Sequence, residues 1–145
     1  IKYETLLNIK IMTQENKELL LKDLCARLPY GIKCQVQEDE YTYIGTLCRL
    51  EVDNKNGNLL DFVESISGLD CQVYLSEAKP YLFPLSSMTE EQKEEYQELK
   101  ENVYSFDFNG NVYTLQDFYC KYHFDYRGLI PMGLANDATN LGIYE

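Results

Sequence analysis

The feature that most constrains this chain is a change of period. Apolar residues recur at helical spacing between Thr13 and Leu28, then at every second residue in short runs from Ile32 to Leu85. A chain that changes period in this way has to lay helices against a sheet. Ile32, Cys34 and Val36 alternate with Lys33, Gln35 and Gln37, and after the acidic triplet Glu38-Asp39-Glu40 the runs Tyr41 to Leu47 and Cys48 to Val52 continue in β-branched and aromatic residues. Gly45 within this run predicts a bulge or sharp bend. A turn cluster from Asp53 to Asn58 leads to a strand from Leu59 to Val63. Cys71, Val73 and Leu75 then alternate with Gln72 and Tyr74, and Tyr81 to Leu85 follows Pro80 as a further strand. Four to six short strands at this spacing predict a twisted antiparallel sheet or a small, partly open barrel.

Thr13 is placed to cap a helix whose apolar stripe is Leu20, Leu21, Leu24, Cys25 and Leu28, with Glu15, Lys17, Glu18, Lys22 and Asp23 on the other side and Pro29 and Gly31 ending it. Thr89 and Gln92 form a capping-box pattern for a second helix from Glu90 to Asn102. Its apolar stripe is only Tyr96, Leu99 and Val103, which predicts a helix on the outside. Asn109-Gly110, between Tyr104 to Phe108 and Asn111 to Tyr113, predicts a hairpin with a type I′ turn. Thr114 and Asp117 start a last helix with Leu115, Phe118, Tyr119 and Tyr122 on one face. The expected class is therefore α+β: an N-terminal helix on a small antiparallel sheet or partly open barrel, then an acidic helix, a β-hairpin and a short aromatic C-terminal helix. Residues 12–145 read as one domain. In residues 1–11 the alternation of Ile1, Tyr3, Thr5, Leu7, Ile9 and Ile11 has the period of a half-buried strand, while Met12-Thr13-Gln14-Glu15 has the look of a native start that makes the first eleven residues an extension.

The net charge of −11 comes from 24 acids against 13 bases, and the bases are scattered singly from Lys2 to Arg127. No basic stripe forms, which disfavours a groove for a phosphate backbone, so nucleic acid is not an expected partner. Five cysteines without C-x-x-C spacing, with a single histidine, make no zinc box and read as reduced thiols. Neither a signal peptide nor an apolar run long enough for a membrane span is legible, so the expectation is a cytoplasmic protein with no membrane. Asp53 to Glu64 has the length of a calcium loop, but Lys55 stands at its third position and its glycine is displaced to the fifth, Gly57. The phosphate-, dinucleotide- and zinc-binding motifs are likewise missing, and neither a metal nor a cofactor is expected.

Two constellations stand out near the C-terminus. Cys120, His123 and Asp125 bring a thiol, an imidazole and a carboxylate within helical reach, the composition of a nucleophile, base and orienter, without the oxyanion-hole glycines that such chemistry uses. Tyr119, Tyr122, His123, Tyr126 and Arg127 form an aromatic and basic set of the kind enriched at protein interfaces. In that set Arg127 either stacks on a tyrosine or pairs with Asp125 to tie down the tail. Phe106, Phe108, Tyr113 and Phe124 belong to the same aromatic stretch, which serves equally as core or as binding face.

The stretches KPYLFPLSSMTEEQKEEY (Lys79 to Tyr96) and HFDYRGLIPMGLANDATNLGIY (His123 to Tyr144), with the opening MTQENKELLLKDLCARLPYG (Met12 to Gly31), resemble small proteins encoded by gut bacteria of the Bacteroides type and by their prophages and mobile elements. The resemblance implies a mobile-element setting and a start at Met12. It carries over no activity, ligand or catalytic residue. The function expected is that of a non-catalytic interaction protein, a phage or mobile-element accessory factor that binds a host or phage protein through Tyr119, Tyr122, His123, Tyr126 and Arg127. The alternatives are a small-barrel nucleic-acid or nucleotide binder with tyrosines as stacking platforms and a Cys/His-dependent enzyme.

Overall fold

Thr13 begins the first helix as its position requires. Its hydroxyl accepts the N–H of Asn16 at 3.1 Å, and helix α1 spans Gln14–Arg27. A 3₁₀ turn at Leu28–Tyr30 follows, with Pro29 in it, and Gly31 at φ 68° turns the chain into the sheet. This is a computed structural model describing residues 12–51, 59–64, 66–102 and 105–145. The alternating segment 1–11, Val52 with the turn cluster from Asp53 to Asn58, and Val103 and Tyr104 after the second helix lie outside the described residues.

Six strands follow: β1 (Lys33–Glu38), β2 (Tyr41–Glu51), β3 (Leu59–Glu64), β4 (Asp70–Tyr74), β5 (Ala78–Leu82) and β6 (Asn136–Asp137). They lie in the order β4-β3-β2-β1-β5-β6, antiparallel at every junction except the parallel pair β5 and β6. The sheet is therefore mixed and open, with edges at β4 and β6, and does not close into a barrel. Residues directly opposite one another share a face. The buried set Cys34, Val36, Leu47, Leu60, Phe62, Val73 and Leu82 accordingly meets Leu20 and Leu24 of α1 in one cluster.

Three details differ from the sequence expectation. The irregularity in β2 falls between Leu47 and Arg49, at Cys48, and not at Gly45. Gly45 serves close packing instead, because a Cβ there would stand 3.0 Å from the Cβ of Phe62. The strand expected from Tyr81 to Leu85 begins earlier, at Ala78, and Leu85–Ser87 is a 3₁₀ turn. Pro80 is accommodated because, by strand alternation, its amide position faces away from β1, as does the Leu82 carbonyl, which accepts from Ala138 at 2.8 Å. On α1, Asp23 and Arg27 lie inside and Cys25 outside, the reverse of the expected placement for Asp23 and Cys25.

The outer helix α2 (Glu90–Glu101) starts in a complete capping box between Thr89 and Gln92. None of its residues is fully buried. It is attached by Tyr96, whose ring centroid lies 6.1 Å from that of Phe118 and 6.3 Å from that of Tyr119 on helix α3 (Leu115–Lys121). A second capping box, Thr114 with Asp117, opens α3.

After α3 the tail wraps around β5. Phe83 N–H donates to the His123 carbonyl and Asp125 N–H to the Phe83 carbonyl, both at 2.8 Å, so Phe124 continues the line of β1 beside β5. The chain then crosses to form β6 on the other side of β5. Tyr144 returns to where the β1·β5 ladder ends at Cys34 and Pro80. There its hydroxyl accepts the Lys33 N–H at 3.1 Å and donates to the Tyr81 carbonyl at 2.7 Å, replacing a ladder bond. Among the described residues no helix is long and apolar enough to cross a membrane.

Candidate interaction surface

The five residues of the C-terminal aromatic and basic set separate into three places. Tyr119, Tyr126 and Arg127 come together. The rings of Tyr119 and Tyr126 stack with centroids 4.9 Å apart and planes 12° apart, and the Arg127 guanidinium lies 4.8 Å from the Tyr126 centroid. Arg127 also donates to the Tyr126 hydroxyl at 3.0 Å. Behind them lies a buried charge cluster. Arg27 Nε donates to Asp23 Oδ2 at 2.7 Å, Arg27 Nη2 donates to the Phe124 carbonyl at 2.7 Å, and Arg127 Nε stands 3.2 Å from Asp23 Oδ1. That last contact is an ion pair without hydrogen-bond geometry, since neither atom finds a directed partner. Asp23 and Arg27 are wholly shielded from solvent, while Arg127 keeps 16% of its side chain exposed. Arg127 thus both stacks on a tyrosine and anchors the tail, with Asp23 in place of the Asp125 partner weighed from sequence. Nothing in the spacing of the sequence links Asp23 to Arg127; the one legible signal was the i, i+4 pair Asp23 and Arg27.

Tyr122 turns to α2, donating to Glu95 Oε2 at 2.8 Å, and burial followed by Glu95 pushes its phenol up to about 12. His123 occupies the left-handed region at φ 61° and stacks on Tyr144, with centroids 3.7 Å apart. Burial, then the positive charges of Arg27 and Lys33, hold its imidazole down at about 4.

The Cys120, His123 and Asp125 side chains go to three different partners. Cys120 is buried in the core and burial pushes its thiol up, the opposite of an activated nucleophile. His123 lies against Tyr144 as above. Asp125 accepts the N–H of Leu129 at 2.8 Å and of Ile130 at 2.9 Å, and so shapes the turn that follows. The geometry performs a structural task at each of the three.

Exposed apolar side chains lie elsewhere: Tyr41, Ile66, Leu69 and Leu141 among them, and, gathered on one short segment, Phe106, Phe108 and Val112 of the hairpin before α3. Its turn has Gly110 N–H donating to the Asp107 carbonyl and Asp107 N–H donating to the Asn111 carbonyl, with positive φ at Gly110 alone. This is a three-residue loop closed by a left-handed glycine, and not the type I′ turn that Asn109-Gly110 suggests. The Asp107 carboxylate explains the difference. It accepts the backbone N–H of both Asn109 and Asn111 at 2.9 Å, which stabilises the longer loop, and those bonds hold the carboxyl below the usual carboxylate range.

On the arms, Phe106 pairs with Val112, and the Tyr113 N–H donates to the Ser105 carbonyl at 2.7 Å. Alternation therefore sends Phe106 and Val112 to one face and Asp107, Asn111 and Tyr113 to the other, while Phe108 stands in the loop itself. The usual sense is inverted. Tyr113 faces the body, where burial and then Glu95 raise its phenol and where Lys121 Nζ lies 5.8 Å from its ring centroid. Phe106 is 63% exposed, Phe108 fully exposed and Val112 60% exposed.

One further concavity, a shallow groove of about 400 Å³, lies along β4 and includes Glu38, Tyr43, Glu64, Asp70 and Cys71. The Tyr43 hydroxyl donates a hydrogen bond to Cys71 Sγ within it. Among the described residues no three acidic, cysteine or histidine side chains come together as metal ligands. No family model, no curated protein and no solved structure matches this chain.

Proposed function

We propose that this protein is a non-catalytic interaction protein that docks a protein partner on the outward face of the 105–113 hairpin. The observation that carries this reading is the inverted facing of the arms, which leaves Phe106 and Val112 in solvent beside the exposed loop residue Phe108 while Tyr113 faces the body. Three such side chains present roughly 400 Å² of apolar surface, the scale of a functional patch on a monomer. Hydrogen bonds of Asp107 and Gly110 hold the hairpin in one shape, so little conformational entropy is lost when it is covered. In the setting implied by the resemblance to mobile-element proteins, the partner is a host or phage protein met in the cytoplasm.

The test is capture from a bacterial lysate on immobilised protein, with Phe106→Ser/Phe108→Ser as the paired bait. Both positions are exposed, so the variant should keep its melting temperature while losing the captured partner. Retention of the same partner by a folded variant would remove the hairpin from the reading.

A further inference from the structure

The surroundings of the hairpin indicate the chemistry of its partner, an inference that rests on the hairpin being the docking surface. Its apolar face is about half of what one side of a standard interface buries, so neighbouring surface has to contribute. The neighbour is α2, joined to the body side of the hairpin through a continuous run of contacts. Tyr113 at the hairpin base lies under Lys121, whose ammonium also sits 5.0 Å from the Tyr122 ring centroid, and Tyr122 donates to Glu95 of α2. That helix carries six glutamates against two lysines. Lys93 is paired with Glu90 at 3.2 Å and Lys100 lies over Tyr96, so both bases are engaged locally. Glu94, Glu98 and Glu101 remain exposed, as does Asp107 within the hairpin itself.

An exposed apolar ridge beside an acidic helix, on a chain of net charge −11, selects among occupants. A second copy would bring like charge against like, and an anionic membrane or a nucleic acid would be repelled in the same way. We infer that the hairpin and α2 together dock a cationic amphipathic segment of another protein, its apolar face on Phe106, Phe108 and Val112 and its lysine or arginine side chains toward α2. This is groove-free helix or strand capture, in which the aromatic ridge supplies the anchor and the acids supply orientation and on-rate.

The test uses fluorescence anisotropy of the whole chain with three synthetic probes: an amphipathic Leu/Lys helix, the same pattern in Leu/Glu, and a Ser/Lys control without an apolar face. The Leu/Lys probe should bind at least about tenfold tighter than either of the others. Its affinity should fall several-fold as salt rises from about 0.05 to about 0.3 M. Phe106→Ser/Phe108→Ser should lose that binding, and Glu94→Gln/Glu98→Gln/Glu101→Gln should lose its salt dependence, both with unchanged melting. Hairpin-dependent binding of the Leu/Glu probe as tight as that of Leu/Lys would overturn the cationic partner while leaving the docking surface standing. Binding of Leu/Lys that ignores the hairpin variant would overturn both, as would no binding of any probe. Concentration-dependent dimerisation abolished by the hairpin variant would make a second copy the occupant and overturn the inference.

Discussion

Replacing Asp23 is the sharpest probe of whether Arg127 belongs to the framework or to a binding site. In the folded chain the Asp23 carboxylate lies 2.7 Å from Arg27 Nε and 3.2 Å from Arg127 Nε, with no solvent contact. Asp23→Leu leaves Arg27 wholly buried, with the Phe124 carbonyl as its one remaining acceptor and Nη1 unpartnered. Breaking a buried pair from one side costs about 3–5 kcal/mol. In a domain of this size that is a fall of roughly 10 °C or more in melting temperature. Arg127 sits at the rim and can turn to water, so Arg127→Ala costs less, about 1–2 kcal/mol. The double variant Asp23→Leu/Arg27→Met removes the stranded charge along with its partner and should recover more than half of the loss. Urea unfolding of the three variants gives the comparison. An Asp23→Leu cost under about 1 kcal/mol, or a double variant no better than the single, would refute the account of a buried charge cluster that holds the tail to α1.

Three other outcomes follow from named contacts. His123 has its imidazole held at about 4 against an ordinary 6.5, so the unfolded chain takes up its proton first: the stability that neutral His123 confers is full above about 6.5 and is lost as pH falls from there toward about 4. NMR titration of the ring should give a midpoint below about 5, and one above about 6 would contradict the stacked, shielded placement. Tyr144→Phe strands the Lys33 N–H and the Tyr81 carbonyl and should cost about 1–3 kcal/mol, with the Lys33 amide exchanging faster with solvent; an unchanged exchange rate would rule out the inserted hydroxyl. Alkylation at neutral pH should label exposed Cys25 while buried Cys34 and Cys120 react only on unfolding, and prompt labelling of Cys120 would reopen a thiol chemistry there.

Much of the architecture was legible because it rests on local signals. Caps at Thr13, Thr89 and Thr114 each accept the N–H three residues on. The alternation of Cys34 and Val36 with polar neighbours became a strand with one buried face, as period 2 requires. What was not legible depends on partners far along the chain. Asp23 reads as an outer-face acid on any helical wheel, and its burial rests on the hydrogen-bonded Arg27 one turn on together with Arg127, which arrives more than a hundred residues later. Gly45 reads as a bulge because the sequence does not show Phe62 across the ladder. The parallel strand β6 is two residues long, too short to leave a pattern, and the wrapping of the tail around β5 rests on a few isolated hydrogen bonds at Phe83, Leu82 and Tyr81.

The hairpin shows how the same information can mislead on function. Phe106, Phe108 and Val112 alternate with polar residues as cleanly as a core-facing strand does, and the sequence does not fix which face turns inward. The choice is made at the hairpin base: the part-buried Tyr113 ring under Lys121 turns to the body and leaves Phe106 and Val112 to water. Had Asn109-Gly110 closed a two-residue turn, the pairing across the arms would have shifted by one and set apolar against polar side chains on both faces. The Asp107 carboxylate, by accepting the Asn109 and Asn111 amides, selects the longer loop and with it the register that pairs Phe106 with Val112. Asp107→Ala is therefore expected to shift the hairpin register, so that Phe106 no longer lies opposite Val112, and to weaken partner capture as strongly as loss of the phenylalanines themselves. Cross-strand nuclear Overhauser contacts between Phe106 and Val112 that persist in Asp107→Ala would show that the base alone sets the register.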